Sequence, residues 1–339
     1  HSVKTFFHII AQKTHTEPNM EQKITILDTM ILSCAGENPE EAFETILNKK
    51  CMFKKSENLP LGDEYLYVAD IQTDGVSAFI NSEILKKANS IGAKIFVCID
   101  DDQKNGVIAK IKTQNIDGSI SFFTSDIEAI DEASKAIISN QTKAVLVAGI
   151  GNIDFGQIKT LVSYGKYSHT VCKPYDVESD GINSSNSVCA ILLSTESGEY
   201  ALEGVSIASN PIETIQKTIR QTGVNINSIG FIEGGSNASV QADRVEVEAI
   251  AEIFGQSITL TSSKGALGYS EKNSFLEGIC MATVGLTDGI IHSDTGLEHG
   301  FSIEATLAYG SKFKNFSSVI VNGYDNINDK WCSAIVKKA

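Results

Sequence analysis

The cysteine and histidine side chains of this sequence are the groups that could serve as nucleophiles and proton carriers in acyl transfer. Cys172 stands next to Lys173 and near His169, which makes it the candidate nucleophile, although a cysteine beside a lysine also arises by chance. The seven cysteines are Cys34, Cys51, Cys98, Cys172, Cys189, Cys280 and Cys332, and the six histidines are His1, His8, His15, His169, His292 and His299. The cysteines are odd in number and scattered, which favours reduced core residues. No histidine pairs with a cysteine at zinc-ligand spacing, so no metal site is predicted.

Composition indicates a globular protein with an acidic surface. The 339 residues are 42% hydrophobic, which is enough for a substantial core. A formal net charge of -14 leaves no basic face for a nucleic acid or an anionic membrane, since both require clustered Lys and Arg. No apolar run reaches membrane-spanning length. The sequence therefore predicts a cytoplasmic protein without a cofactor.

Residues 1–21 are predicted to be a leader or flexible extension outside the fold. The stretch His1–Asn19 has no clear amphipathic period and no uninterrupted apolar core, so it is not a secretory signal. Met20 is a candidate natural start, and a strand over 24–27 follows it closely. The prediction of the fold therefore begins at residue 22.

From residue 22 onward, short β-branched strands alternate with amphipathic helices. The clearest helix, over 39–49, has Asn38 as its cap, Pro39 at its first position and Glu41 completing a capping box. Further helices are predicted over 75–91, 126–139, 211–221, 243–254 and 272–287. Strands are predicted over 94–99, 119–123, 144–148, 228–233 and 257–261. A hairpin-like pair of strands is predicted near 182–194 and 199–207, and a second pair of strands near 301–309 and 316–322. This alternation predicts an α/β fold.

The order of these elements repeats, which predicts an internal duplication. Residues 22–195 and 196–339 each combine parallel crossovers with a terminal antiparallel pair. We expect the two halves to form one compact unit, a five-layer α-β-α-β-α arrangement of helices and two sheets. Such a fold does not by itself specify a function.

Several short motifs resemble those of β-ketoacyl synthases. Lys173–Gly181, KPYDVESDG, is similar to the family signature RPFD…RDG. Glu233–Glu246, EGGSNASVQADRVE, resembles the EAHGTGT..GDP.E loop, and Ser262–Tyr269, SSKGALGY, resembles S.K...GH. Leu286–Gly289 and Gly36–Phe43 resemble two further segments of the family. The resemblance runs from about residue 22 to the C terminus and implies a duplicated thiolase-like fold.

The resemblance also locates the family's catalytic positions, where the expected groups are absent. Condensing ketosynthases use a cysteine thiolate at a helix N-terminus and two histidines that stabilise the developing negative charge. The corresponding residues here are Phe123, Gly235 and Tyr269, and the family's lysine is retained as Lys264. We therefore predict that these four positions are vestigial, that Lys264 is a structural ion-pair or loop-fixing residue, and that the chain does not catalyse condensation.

Two further departures concern the family's acyl gate and tunnel. The Gly-rich gating loop corresponds to Gly323–Asn328, where only the first glycine and the last asparagine remain, so we predict that the loop no longer swings. Only residues 100–118 lie between two predicted strands where the family inserts a longer excursion that builds the tunnel wall. We expect Phe122 or Phe123 to plug the pocket. Tunnel shaping and simple stabilisation of a partner both stay open.

In ketosynthases the strand before the nucleophile lies beside its twin across a two-fold axis. The corresponding strand, which we predict to be the dimer interface, consists of Ser119, Ile120, Ser121, Phe122 and Phe123. The chain resembles chain length factors, the cysteine-free β subunits of type II polyketide synthases, although many of those carry Gln at the nucleophile position. The resemblance implies a catalytic ketosynthase as partner in a heterodimer and an acyl carrier protein docked mainly through that partner.

Two other functions fit the same sequence. A stand-alone homodimer could bind an acyl carrier protein without chemistry. An acyltransferase of the same fold could use a different nucleophile, for which Cys172 is the candidate. Solubility without a co-expressed subunit would favour the stand-alone protein over a heterodimer.

Overall fold

The computed structural model describes residues 23–61, 64–113, 116 and 118–339, so the predicted leader lies outside the described residues. The strands of this part are β1 Thr25–Leu32, β2 Lys54–Leu61, β3 Glu64–Asp70, β4 Lys94–Cys98, β5 Ile120–Phe123, β6 Ala144–Ile150, β7 Ser185–Asn186, β8 Val188–Ser194, β9 Tyr200–Ala208, β10 Ile229–Glu233, β11 Thr259–Thr261, β12 Ile290–Ile291, β13 Thr306–Leu307, β14 Lys312–Phe313, β15 Ser318–Asp325 and β16 Lys330–Lys338. The helices are α1 Pro39–Leu47, α2 Gly75–Ile80, α3 Glu83–Ser90, α4 Lys104–Thr113, α5 Asp126–Ile138, α6 Phe155–Ser163, α7 Pro211–Thr222, α8 Val240–Phe254, α9 Lys264–Leu267 and α10 Ser274–Asp288. None of these helices is both long enough and apolar enough to cross a membrane.

Eleven of these strands form one sheet in the order β13-β11-β10-β15-β16-β9-β1-β8-β6-β4-β5. The first half contributes five strands, which along the chain are β1, β4, β5, β6 and β8. Numbered 1 to 5 in that sequence, they lie in the sheet in the order 3-2-4-5-1. The second half contributes β9, β10, β11, β15 and β16, which numbered in the same way lie in the same order. In both halves strand 4 is parallel to strand 2 and antiparallel to strand 5. The predicted duplication is therefore visible in the strand order, while the boundary between residues 195 and 196 stays a prediction.

The helices form three layers, a middle layer and two outer layers, which pack against the two halves of this sheet. α5 and α10 lie in the middle layer and share the central core with side chains of β1, β8 and β15. α2 and α3 cover the outer face of the first half, and α7 and α8 cover that of the second. The predicted five-layer α-β-α-β-α arrangement is confirmed. The two predicted sheets meet through the pairs Thr25–Ala201 and Ile26–Tyr200, which join them into one hydrogen-bonded sheet.

Local signals place the start of α1 where the sequence predicted it. Asn38 Oδ1 accepts a hydrogen bond from Glu41 N at 2.9 Å, and Pro39 is the first helical residue. The Glu41 carboxylate accepts from Glu37 N at 3.0 Å. These contacts satisfy N–H groups that have no partner inside a helix.

The single helix predicted over 75–91 is two helices. α2 ends at Ile80, and the Ser82 hydroxyl then caps α3, accepting from Leu85 N at 3.4 Å and donating to the Phe79 carbonyl at 2.7 Å. Both helices contact β6 and β8. Because both bury apolar residues against the same strands, the apolar spacing did not reveal the break.

In both predicted pairs of strands, the predicted pairing was wrong. β8 and β9 follow one another along the chain, but β1 lies between them in the sheet. β13 pairs with β11, whereas β15 pairs with β10 and β16. The sequence also did not reveal α4, α6, β16 or the β2–β3 hairpin. Local patterns report the extended conformation of a segment, and they do not report which distant strand it pairs with.

Candidate functional site

Two helix N-termini meet near the carboxyl end of β5. The Ser125 hydroxyl caps α5 by accepting from Glu128 N at 3.4 Å. Asp126, the first residue of α5, is buried, and its carboxylate accepts from Phe275 N at 2.7 Å and Leu276 N at 3.2 Å at the start of α10. Burial raises the pKa of Asp126 to about 7. One carboxyl group therefore joins the two central helices.

A pocket of about 10 Å³, with room for roughly one water molecule, lies at this junction. It is lined by Ser125, Asp126, Ile127, Gly235, Lys264, Tyr269, Ser270, Glu271, Ser274, Phe275, Gly323, Tyr324 and Asp325. Three of the four predicted catalytic positions, Gly235, Lys264 and Tyr269, thus share one pocket. Phe123 does not line it, because its ring packs on Phe96 at a centroid distance of 4.9 Å in the central core. The lining provides neither a thiol nor an imidazole.

Gly235 is held by close backbone packing as well as by hydrogen bonds. Its N–H donates to Glu246 Oε1 at 3.0 Å, and Ser236 N donates to Glu246 Oε2 at 2.9 Å. A Cβ atom on Gly235 would lie 2.8 Å from the carbonyl carbon of Gly323 and 2.9 Å from its Cα. Backbone atoms cannot rotate aside as a side chain can, so a histidine has no room at this position.

Residues from two of the family-like motifs form a buried network behind Gly235. Tyr175 N donates to Asp243 Oδ2 at 2.8 Å, and the Tyr175 hydroxyl donates to Glu246 Oε2 at 2.9 Å. Asn322 Nδ2 donates to Glu246 Oε1 at 2.8 Å. Burial raises the pKa of Asp243 to about 7 and also raises that of Glu246. These motif residues position the loop after β10.

Lys264 belongs to a second buried network, with Glu233 and His292. Its Nζ lies 3.8 Å from Glu233 Oε1 and donates to the Gly234 carbonyl at 3.3 Å. His292 Nε2 lies 2.7 Å from Glu233 Oε2, and Ser263 donates to Oε1 through its N–H and its hydroxyl. Burial alone would raise the pKa of Glu233, but His292 and Lys264 together lower it below its usual range. Lys264 is therefore a buried ion-pair residue.

The predicted gating loop, 323–328, consists of the last residues of β15 and the first residues of the turn that leads into β16. The Tyr269 hydroxyl donates to the Tyr324 carbonyl at 2.8 Å. Within the turn, Asp325 Oδ1 accepts from Ile327 N at 3.0 Å and from Asn328 N at 2.9 Å. Tyr269 therefore fixes the end of β15, and the Asp325 side chain fixes the turn that follows.

Neither Phe122 nor Phe123 plugs the pocket, so that prediction was wrong. The Phe122 ring packs with the outer core of the first half and has Lys104 Nζ 5.8 Å from its centroid. Tyr269 and Phe275, both buried, occupy the space at the pocket instead.

Cys172, the candidate alternative nucleophile, is buried among apolar residues. Only 2% of its surface is exposed, and its Sγ lies 3.6 Å from the Lys264 carbonyl oxygen. Burial raises the pKa of its thiol, which disfavours the reactive thiolate. His169 is on the surface, where its Nδ1 lies 3.4 Å from Asp180 Oδ2. Within the described ranges, no cluster of three or more His, Cys, Asp or Glu residues is placed to hold a metal ion.

The stability of this buried site is expected to depend on pH through Glu277 in α10. The Ser187 hydroxyl donates to Glu277 Oε1 at 3.0 Å, while Oε2 has no hydrogen-bond partner in the described part of the chain. Burial raises the pKa of Glu277 to about 8. In an unfolded chain, a glutamate side chain has a pKa of about 4.3. The stability from this group is therefore complete below about pH 4 and is lost as the pH rises through about 8.

We expect the free energy of unfolding to fall between about pH 5 and pH 8, and Glu277→Gln to make that fall shallower. Burial also raises the pKa of Glu271 to about 8, so the variant retains part of the slope. Urea denaturation across this pH range measures it. The exposed Glu57→Gln variant is the control and should keep the wild-type slope. Equal slopes for Glu277→Gln and wild type would contradict the prediction.

Ketosynthases are among the solved structures that share this fold. A ketosynthase in complex with its chain length factor, from Xenorhabdus doucetiae, matches with a TM-score of 0.77 and 16% identity over 96% of this chain and 100% of that chain. The ketosynthase from module 6 of the bacillaene synthase of Bacillus subtilis matches with a TM-score of 0.77 and 12% identity over 94% of this chain and 72% of that chain. The fold is therefore the thiolase-like ketosynthase fold.

Sequence comparison points to the same class. Residues 198–298 match the β-ketoacyl synthase C-terminal domain. Two curated relatives are the highly reducing polyketide synthase srdA of Neurospora crassa, 24% identical over 203 residues, and the non-reducing polyketide synthase sor2 of Hypocrea jecorina, 24% identical over 200 residues. These matches cover 52% and 50% of this chain and 8% of each relative. The sequence match thus covers part of the second half of a ketosynthase-like fold, and the chain spans a small part of those relatives' length.

Proposed function

We propose that this chain is a non-catalytic ketosynthase-like subunit of the chain length factor type, which pairs with a catalytic ketosynthase in type II polyketide biosynthesis. One observation carries the proposal: the pocket where the family-like motifs meet has neither a cysteine nor a histidine in its lining. Decarboxylative condensation requires a thiolate nucleophile and donors for the developing enolate. Phe123, Gly235 and Tyr269 supply neither group, which supports a vestigial role for these positions.

The edge strand β5 supports pairing with a second subunit. Among the strands that the structure describes, β5 is the last of the sheet and pairs with β4 alone. The carbonyls of Ser119 and Phe123 accept hydrogen bonds from Ile95 N and Ile99 N. Because the backbone groups of successive residues in a strand point to opposite sides, those of Ile120 and Phe122 face outward. An uncovered strand edge of this kind accepts a strand from another chain. We therefore propose Ser119–Phe123 as the pairing surface.

The small pocket favours stabilisation of the partner over shaping of an acyl tunnel within this chain. Between β4 and β5 the described residues contain a short helical turn, Asp101–Gln103, and α4. The pocket volume of about 10 Å³ is far below the size of a ligand site. An acyl carrier protein would then dock mainly through the catalytic partner. The solved complex of a ketosynthase with its chain length factor supports such a pair.

Pairing through β5 is tested by co-expression with an intact ketosynthase from the same source. We expect the two chains to co-elute in size-exclusion chromatography, and Ile120→Pro to weaken the complex at least about tenfold, since proline removes an outward N–H and obstructs strand pairing. Ile120→Val, which keeps both the N–H and a branched apolar side chain, should pair as wild type does.

Two outcomes would contradict the proposal. One is a folded Ile120→Pro chain that pairs as tightly as the Ile120→Val chain. The other is a wild-type chain that elutes alone as a stable homodimer in the presence of the ketosynthase, which would favour the stand-alone carrier-binding protein.

A further inference from the structure

A second cavity lies beside the pocket described above and shares a wall with it. Its volume is about 90 Å³, and it is lined by Asp100, Asn152, Gln157, Leu161, Ser184, Tyr269, Ser270, Glu271, Lys272 and Ile327. Three of these residues, Tyr269, Ser270 and Glu271, also line the smaller pocket. Asn152 and Gln157 are exposed, so the cavity opens to solvent. Since an apolar cavity of about 150 Å³ holds a benzene molecule, this one has room for a ligand of roughly four non-hydrogen atoms.

The positive charge in the wall of this cavity is already paired. Among the described residues that line the cavity, Lys272 alone is cationic. Its Nζ lies 3.1 Å from Asp100 Oδ1 and donates to the Thr124 carbonyl at 2.9 Å. Only 13% of the Lys272 side chain is exposed, so these contacts hold the ammonium group in the wall. An anionic ligand would therefore have to compete with Asp100 for this charge.

The carboxyl group of Glu271, in contrast, would be stabilised by a positive charge. Its Oε2 accepts a hydrogen bond from Asn326 N at 3.3 Å. Burial raises the pKa of Glu271 to about 8, and the negative charges of Asp325 and Asp126 act in the same direction. Hydrogen bonds from Tyr269 and Asn326 lower the pKa, but both of these groups are neutral. Near pH 7 the Glu271 carboxyl group therefore carries its proton in most molecules, and a cation in the cavity would favour its ionised form.

We propose that this cavity is a binding site for a short-chain primary ammonium ion. The ammonium group lies at Glu271, and the alkyl chain lies against Leu161 and Ile327, the two aliphatic side chains of the lining. Because the bound cation stabilises the Glu271 carboxylate, binding releases the proton of this group to solvent, and the same coupling makes the affinity rise with pH. No residue of the cavity belongs to the proposed pairing surface Ser119–Phe123, so this inference does not depend on the proposed function.

The test uses the whole chain and n-propylammonium chloride as the probe, with isothermal titration calorimetry as the readout. We expect binding at least about fivefold tighter at about pH 8.5 than at about pH 6.5, because Glu271 ionises over this range while an alkylammonium ion, like lysine, keeps its charge. The released proton should make the measured heat differ between buffers of different ionisation enthalpy. Propanol and propionate have the same chain length without the positive charge, and each should bind at least about tenfold more weakly.

Two variants locate the bound ion. Glu271→Gln keeps the shape of the side chain but cannot ionise, so it should bind propylammonium at least about tenfold more weakly and without proton release. Leu161→Trp fills part of the cavity and should weaken binding without changing the charge. The control Glu57→Gln removes the same charge from an exposed position and should bind within about twofold of wild type.

The comparison of the three probes on the wild-type chain needs no variant, so it decides the question even if a substitution prevents folding. Propionate or propanol binding as tightly as propylammonium would overturn the inference, and so would the absence of propylammonium binding up to about 0.1 M. A folded Glu271→Gln chain that binds within about twofold of wild type would overturn it as well. Equal losses in Glu271→Gln and Glu57→Gln would mean that net charge, and not this cavity, attracts the ion.

Discussion

Replacing Gly235 with alanine is expected to lower the free energy of unfolding by about 3 kcal/mol, at the upper end of the usual cost of overpacking. The added Cβ would lie 2.8 Å from the carbonyl carbon of Gly323, which is far inside van der Waals contact. Gly323 cannot retreat easily, because it pairs with Cys332 in β16 and the Phe275 ring lies against its other side. Chemical denaturation with urea measures the loss.

The matched control is Gly106→Ala in α4. Gly106 is exposed, and a Cβ atom there would meet nothing within 4 Å. Alanine in a helix interior is expected to stabilise the chain by about 0.5–1 kcal/mol relative to glycine. A Gly235→Ala chain as stable as wild type would show that the backbone can open at this point.

The Gly235 result also bears on function. A histidine introduced at this position carries the same Cβ atom and a larger ring, so it meets the same backbone. If alanine is not accommodated, a family-like imidazole cannot be restored by one substitution. The proposed lack of condensing activity would then follow from the packing of β15 against the loop after β10.

Replacing Lys264 with methionine is expected to lower the free energy of unfolding by about 3–5 kcal/mol, the cost of breaking a buried ion pair from one side. Burial raises the pKa of five buried carboxyl groups, and the Lys264 ammonium opposes this by lowering it. These groups are Asp126, Glu233, Glu246, Glu277 and Asp294. Methionine has a similar length but no charge, so these groups lose the attraction of a buried cation. Denaturation at a single pH near 7 measures the difference.

The control for this prediction is Lys86→Met on the surface. Lys86 Nζ lies 2.7 Å from Glu83 Oε1, but 61% of the lysine side chain and 87% of the glutamate side chain are exposed. Solvent screens such a pair, so the expected loss is less than about 1 kcal/mol. Similar losses for Lys264→Met and Lys86→Met would mean that the buried charge is not paired as described.

The fold and three of the pocket positions were predictable because they depend on residue order. The spacing of EGGSNASVQADRVE and SSKGALGY placed Gly235, Lys264 and Tyr269, and the structure brings all three to one pocket. The capping residue Asn38 was predictable for the same reason, since a cap acts on N–H groups two or three residues away.

Other parts of the site gave no signal in the sequence. His292 pairs with Glu233 across 59 positions, and Asp126 accepts hydrogen bonds from α10 across 149 and 150 positions. No periodicity or local motif connects such residues, because their contact exists only after the two halves have packed on the middle layer. The position of β1 between β8 and β9 has the same origin.

The sequence by itself determined the α/β character of this protein, its duplicated order of elements, and the side-chain types at its family-like positions. Those are properties of residue identity and spacing, which folding does not change. Only the tertiary structure decided that Tyr269 and Phe275 occupy the pocket and that backbone excludes a side chain at Gly235. Each of these depends on distances between segments far apart in the chain, and those distances arise only when the layers pack.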